Sequence, residues 1–238
     1  MGHDIETADP ARSRARVSWR ASWRASWAAL VVLVVVACAP VLWAVLTRSD
    51  RSSGDIALIE LRIRDVFSAH PPLTGAYSRY GWSHPGPELF ALFAVPYRLL
   101  GNDARALRLT ALLFNAVVML VAGRLLWRRG VAVFTAGLLA MGAVVWGLAP
   151  HALSDGWNVT VAVLPFLLTI VACWCALCGD RWAYLAAVCA YSFVFQAHIG
   201  FGLVLTPLFI VVSAVLLVRW RRGQIAITRR AAILTAIV

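Results

Sequence analysis

The chain contains no lysine: all 22 of its basic residues are arginine. A GC-rich coding sequence accounts for that bias, and no chemistry follows from it. Charge of either sign is scarce. Charged residues make up 14% of the 238 positions, against about 25% in an ordinary soluble domain. That shortage excludes a conventional soluble fold. Metal-binding cysteine patterns are also missing. The five cysteines (Cys38, Cys173, Cys175, Cys178 and Cys189) all lie in apolar stretches. Cys175 and Cys178 form a CxxC, but no second pair or nearby histidine completes a zinc set. They read as small apolar helix residues. No small-residue cleavage site follows the first apolar run, so that run is expected to be a retained anchor.

What is abundant is hydrophobicity. Apolar residues are 61% of the chain, and mean hydropathy is +0.78. Apolar runs recur at 28–46, 107–126, 131–149, 158–178, 182–197 and 200–218. Their lengths predict an all-α polytopic membrane protein. A net charge of +11 then reports topology rather than a nucleic-acid partner, and none is expected. Residues 1–18 are polar and read as disordered. "SWRASWRASW" places Trp19, Trp23 and Trp27 in a drifting helical stripe beside Arg20 and Arg24, which reads as an interfacial anchor. The expected division is therefore a cytosolic tail with an interfacial Trp/Arg helix at 1–27 and a transmembrane domain at 28–238. The chain stops within another apolar run, "AAILTAIV", and is expected to be the N-terminal part of a longer protein.

Charge orders the threading. With the N-terminus in the cytosol, Arg128 and Arg129, "GDR" at 179–181, and Arg219, Arg221 and Arg222 all fall inside. This agrees with the positive-inside rule. The long segment 47–106 also carries arginines, but long segments obey the rule poorly. The same threading carries Asp55, Glu60, His70, His84 and Glu88 in segment 47–106 to the outer face. It also carries His151 and Asp155 there, with Gln196 and His198 at the third outer turn. Three separate loops deliver acids and histidines to one side, which is the strongest internal sign of a site.

The first outer loop spans about 60 residues, too long for a plain connection. In "DIALIELRIRDVF", apolar residues at 56, 59, 63, 66 and 67 fit one face of a surface helix, with Glu60, Arg64 and Asp65 directed away. Ser52 or Ser53 is placed to cap it, and Asp55 sits in its first turn, where the helix dipole favours an acid. "HPPLTGAYSRYGWSHPGP" reads as an ordered, turn-rich lid. "PELFALFAVPYRLLG" reads as a second surface helix, broken by Pro96 and ended by Gly101, with a spanning helix after "NDARALR".

An outer-loop acid, a Pro-rich turn before an apolar helix, then "GNDARALRL" and a long helix ending in basic residues form a pattern. It resembles the GT-C superfamily of membrane glycosyltransferases, which includes protein mannosyltransferases, aminoarabinose transferases and actinobacterial envelope transferases. Residues 84–130 follow the helix-opening turn and helix of that superfamily. His84 stands where the mannosyl- and aminoarabinose-transferase branch commonly has the lysine of Lys-Pro-Pro-Leu. "HPPL" at 70–73 is a rival match for the same turn. The resemblance covers roughly residues 28–200 and implies a GT-C-like bundle with surface helices in a long first outer loop. It implies that Asp55 is the catalytic acid of that loop, that Asp155 is a second acid, and that Arg108 is the basic residue opening the second span. Gln196 and His198 join the site by topology alone. Two departures stand out: Asp55 is followed by Ile56 rather than Glu, and the turn lysine is replaced.

The implied reaction is glycosyl transfer at the outer face of the cell membrane. Nucleotide sugars are cytosolic, so the donor would be a polyprenyl-phosphate sugar and the acceptor an envelope glycan, lipid or protein. Asp55 would accept the proton of the acceptor hydroxyl. Arg105, Arg108 and His84 would meet the departing phosphate; the two arginines, three apart, share a helix face. A divalent ion held by Asp55, Asp155 or a histidine is a further option. Plainer readings stand beside these: caps for Asp55 and Asp155, a backbone-bonded His198, arginines snorkelling to headgroups, and loop structure for His70 and His151. A transporter or lipid flippase is the main functional alternative. It would place polar groups near the bilayer midplane rather than at one edge.

Overall fold

The computed structural model describes residues 10–48 and 51–224, without the side chains of 10–26 and 150. Residues 1–9, the terminal apolar run, and the side chains of Trp19, Arg20, Trp23 and Arg24 lie outside the described set. The chain is predominantly helical. Its helices are α1 (Pro10–Thr47), α2 (Gly54–Asp65), α3 (Glu88–Leu99), α4 (Ala104–Trp127), α5 (Val131–Gly147), α6 (Asn158–Val161), α7 (Val163–Leu177), α8 (Arg181–Ala197) and α9 (Ile199–Arg221). A 3₁₀ turn covers Pro150–Ser154. Two-residue strands β1 (Tyr77–Ser78) and β2 (Trp82–Ser83) form one antiparallel ribbon in the lid, with Tyr77 opposite Ser83.

Among the described residues, four stretches are long and apolar enough to cross a membrane: Trp27–Thr47, Ala104–Trp127, Asn158–Leu177 and Ile199–Arg221. They answer four of the six expected spans. The other two, α5 and α8, have 17 residues each. At 1.5 Å per residue each reaches about 25 Å, at the lower limit of about 17 residues for a spanning helix. Helix α8 packs through Ala183, Ala187 and Ala190, small residues that let helix backbones approach closely.

Helix α1 begins at Pro10, earlier than the expected disorder of 1–18 allows. Residues 11–27 contain no glycine or proline to stop a helix, so it propagates back from the apolar span. Trp27 lies against Arg124, whose guanidinium carbon is 5.3 Å from its ring centroid. α1 crosses α4 closely: a Cβ on Gly123 would strike Leu30 at 2.5 Å. Side-chain caps set the starts of the later helices. Asp103 accepts from Ala106 N at 2.7 Å, and Asp180 from Trp182 N at 3.1 Å.

Two buried clusters divide the core. The larger runs through α1, α4, α5, α7, α8 and α9. The smaller lies at one end, where Ile59 and Ile63 of α2 meet Phe90, Phe93 and Tyr97 of α3, the first turns of α4, and the last turn of α8. α2 and α3 occupy the places expected of the two surface helices, with Pro96 inside α3 and Gly101 just beyond it. One detail of α2 differs. Glu60 is not turned away but buried, at 6% exposure. Its Oε1 accepts from Tyr97 Oη at 2.7 Å and Arg64 Nη2 at 2.5 Å. Burial pushes its carboxyl up, yet hydrogen bonds from Ser52, Tyr97 and Arg64 outweigh this and hold it below the usual range.

Candidate functional site

The two ends of the bundle differ in chemistry. At one end, Arg128 Nη1 meets Asp180 Oδ2 at 2.9 Å. Arg129 donates to the carbonyls of Cys175 and Cys178, and Arg219 to that of Leu177. The ends of α4 and α9 and the α7–α8 turn therefore meet in a basic group. At the other end, Leu107 packs on Gly156, Asn158 Nδ2 donates to Ala197 O at 2.9 Å, and Ile199 N donates to His84 Nδ1 at 3.2 Å. The long first segment, the 150–157 connection and the α8–α9 turn therefore converge.

His84 is the centre of this second end and is 6% exposed. Its position is fixed by the ribbon: His84 N donates to Ala76 O at 3.0 Å, and Gly75 N to His84 O at 2.9 Å. Its ring lies 5.0 Å from that of His198 and 4.9 Å from that of Trp82. His198 caps α9, its Nδ1 accepting from Phe201 N at 3.3 Å. Both imidazoles thus accept amide hydrogens from the first turn of one helix. Burial, then the neighbouring His198, pushes His84 down to about 4. Burial also lowers His198. At neutral pH His84 is uncharged. With Nδ1 accepting from Ile199 N, the neutral ring carries its hydrogen on Nε2, a single donor without positive charge.

Beside the histidines, Gln196 Nε2 donates to Glu88 Oε2 at 2.8 Å and to Ser192 Oγ at 3.0 Å. Ser192 Oγ donates to the same carboxylate oxygen at 2.9 Å. Burial pushes the Glu88 carboxyl up, while the Ser192 hydrogen bond pulls it down; the balance is upward. The fit is close. A Cβ on Gly75 would lie 2.7 Å from Gly86 O, and one on Gly86 would run into the Gln196 side chain. The lid is fitted to α8 by Gly75 and Gly86 and joined to α9 through His84, while Glu88 ties the start of α3 to α8.

The fold therefore brings together His84, Gln196 and His198, three of the seven nominated residues. It adds Glu88 and Ser192. Asp55 is exposed in the first turn of α2, where Ser53 takes the cap position without a side-chain hydrogen bond. Asp55 has no hydrogen bond or ion pair among the described residues. Asp155 Oδ1 accepts from Trp157 N at 3.0 Å in a turn; it does not cap α6, whose cap position Trp157 takes without a side-chain hydrogen bond. Arg105 is exposed and Arg108 half-buried on the first turns of α4. Asp55, Asp155 and Arg105 share no hydrogen bond or ion pair with the His84–Glu88 cluster among the described residues. No group of three histidine, cysteine or acidic side chains placed to hold a metal occurs among those residues.

Sequence reasoning grouped Glu88 with the outer polar residues but gave it no role, and passed over Ser192. A signal for Glu88 was present: an acid opening an apolar helix whose later turns are buried. Its partners lie 104 and 108 residues away, a separation that no local pattern bridges. No family model, curated protein or solved structure matches the chain.

Proposed function

We propose that the protein is a membrane glycosyltransferase of the GT-C type. It moves a sugar from a polyprenyl-phosphate carrier to an acceptor hydroxyl at the outer face of the cell membrane, with its N-terminus in the cytosol. The observation that supports this best is the separation of the two ends. At one end Arg128, Arg129, Arg181 and Arg219 surround a single acid, Asp180; at the other, imidazoles, a half-buried carboxylate and an amide gather beneath α2, α3 and the ribbon, where the arginines of segment 47–106 are nearly balanced by acids. A multi-pass chain obeying the positive-inside rule would turn the first end to the cytosol. A transporter would instead carry its polar groups at mid-depth.

In this reading Asp55 takes the proton as the acceptor oxygen bonds to the anomeric carbon. The bond from that carbon to the phosphate oxygen breaks, and the polyprenyl phosphate leaves with its electrons. An exposed carboxylate with no partner among the described residues is free to accept that proton. Arg105 and Arg108 stabilise charge on the leaving phosphate, and His84 Nε2–H adds a neutral donor. Glu88 holds Gln196 and Ser192 and so keeps α3 on α8. Asp155 shapes the 150–157 connection. No second carboxylate or imidazole joins Asp55 in a metal-holding group among the described residues, so no step is assigned to a divalent ion.

The test is transfer of radiolabelled sugar from a panel of polyprenyl-phosphate donors in membranes carrying the protein or Asp55→Asn. Transfer that the variant loses at equal expression supports the reading. Movement of label across the bilayer without transfer supports a flippase instead.

A further inference from the structure

A second site lies at the arginine end, away from all of these groups. A surface cleft of about 410 Å³ is lined by Arg128, Arg129, Gly179, Asp180, Arg181 and Trp182, with Cys178 beside them. Three guanidinium groups face it against one carboxylate. Asp180 engages only Nη1 of Arg128, leaving most of that group's five N–H donors available. Arg129 spends two donors on helix carbonyls, and its Nε is buried without an acceptor. Arg181 lies over the ring of Trp182 at 5.7 Å and makes no hydrogen bond among the described residues. Arg219 is tied to the neighbouring carbonyl of Leu177.

Indoles surround this charge. Trp174, Trp182 and Trp220 are exposed near the cleft or at the adjoining end of α9. Trp27 and Trp127 lie at the same end, against Arg124 and Phe134. Tryptophan rings collect at headgroup level, where one part is apolar and the other wet. The apolar spans Asn158–Leu177 and Ile199–Arg221 terminate there. A site for a dissolved anion has no use for indoles at that level; a site for a lipid does.

The geometry points to a binding site for the phosphate of an anionic phospholipid, held by Arg128 and Arg181 with the acyl chains lying along the adjacent helices. Its net positive charge selects an anionic lipid over a zwitterionic one, at roughly a fivefold loss of affinity per arginine removed. The site does not depend on the glycosyltransferase reading.

The test titrates the detergent-purified chain with phosphatidylglycerol, phosphatidylcholine or inorganic phosphate and follows thermal unfolding. Phosphatidylglycerol should protect at concentrations roughly tenfold lower than phosphatidylcholine. Inorganic phosphate should not substitute at the same concentrations. Arg181→Gln, which breaks no hydrogen bond among the described residues, should weaken the phosphatidylglycerol effect roughly fivefold. Arg128→Gln/Arg181→Gln should weaken it further. Arg79→Gln, on the distant ribbon, should leave it unchanged. Equal protection by phosphatidylcholine, substitution by inorganic phosphate, or wild-type lipid response in Arg181→Gln would each overturn the proposal. The single variant keeps the test decisive should the double variant fail to fold.

Discussion

Acid should loosen the lid from the bundle, and His84 should be the main reason. Its Nδ1 accepts the Ile199 amide hydrogen only while the ring is neutral. Protonation sets donor against donor beside the positive end of α9. The histidine stands at about 4 in the folded chain, against 6.5 for an ordinary one. Because the folded value is depressed, its contribution is complete above pH 6.5 and is lost as pH falls toward 4. The full gap is worth about 3 kcal/mol, or roughly 300-fold in the equilibrium for lid detachment. His198, also lowered, acts in the same direction. Glu88 acts oppositely: its raised carboxyl stabilises at low pH and loses that contribution as pH rises through its folded value. The comparison is therefore made in Glu88→Gln, whose amide oxygen still accepts from Ser192. Hydrogen exchange over residues 197–203, corrected for intrinsic rates, reads the latch. Protection should fall steeply between pH 6.5 and 4.5. Adding His84→Asn, which keeps an acceptor near the Nδ1 position but cannot titrate, should flatten that slope. A pH-independent protection, or an equal slope with asparagine at position 84, would refute the reasoning.

Further outcomes follow from the same contacts. Tyr97→Phe removes the hydroxyl that donates to buried Glu60 and should cost about 1–3 kcal/mol by thermal or denaturant unfolding. Gly75→Ala drives a methyl group against the Gly86 carbonyl oxygen; it should cost about 1–3 kcal/mol and raise exchange in the ribbon. Asn158→Ala strips the Ala197 carbonyl of its buried donor and should cost about 1–3 kcal/mol, with loss of protection confined to the α8–α9 turn.

Much of this architecture is legible from periodicity and punctuation. The surface helix near residue 56 emerges from its apolar spacing, and the one near 88 is delimited by Pro87 and Gly101. The division into a basic end and a polar end emerges from counting charges between apolar runs. What is not legible is pairing across distance. Glu60 lies beside the apolar seam of its helix, and its burial is decided by Tyr97, 37 residues on. Glu88 and Gln196 meet only because α3 packs on α8. The histidine at 84 is neutral because it is buried beside His198, and its acceptor role is set by an amide 115 residues away. Length alone does not decide spanning either: α5 and α8 have 17 residues each, at the lower limit of about 17 for a helix that crosses the hydrocarbon core.

The most direct measurement of the central claim uses right-side-out membrane vesicles, a polyprenyl-phosphate sugar donor and a membrane-impermeant acceptor. Label should reach the external acceptor, and Asp55→Asn should lower the rate at least roughly 100-fold, the scale of a lost general base, at unchanged protein level. Transfer that persists in Asp55→Asn, or that needs the acceptor on the arginine side of the membrane, would contradict it.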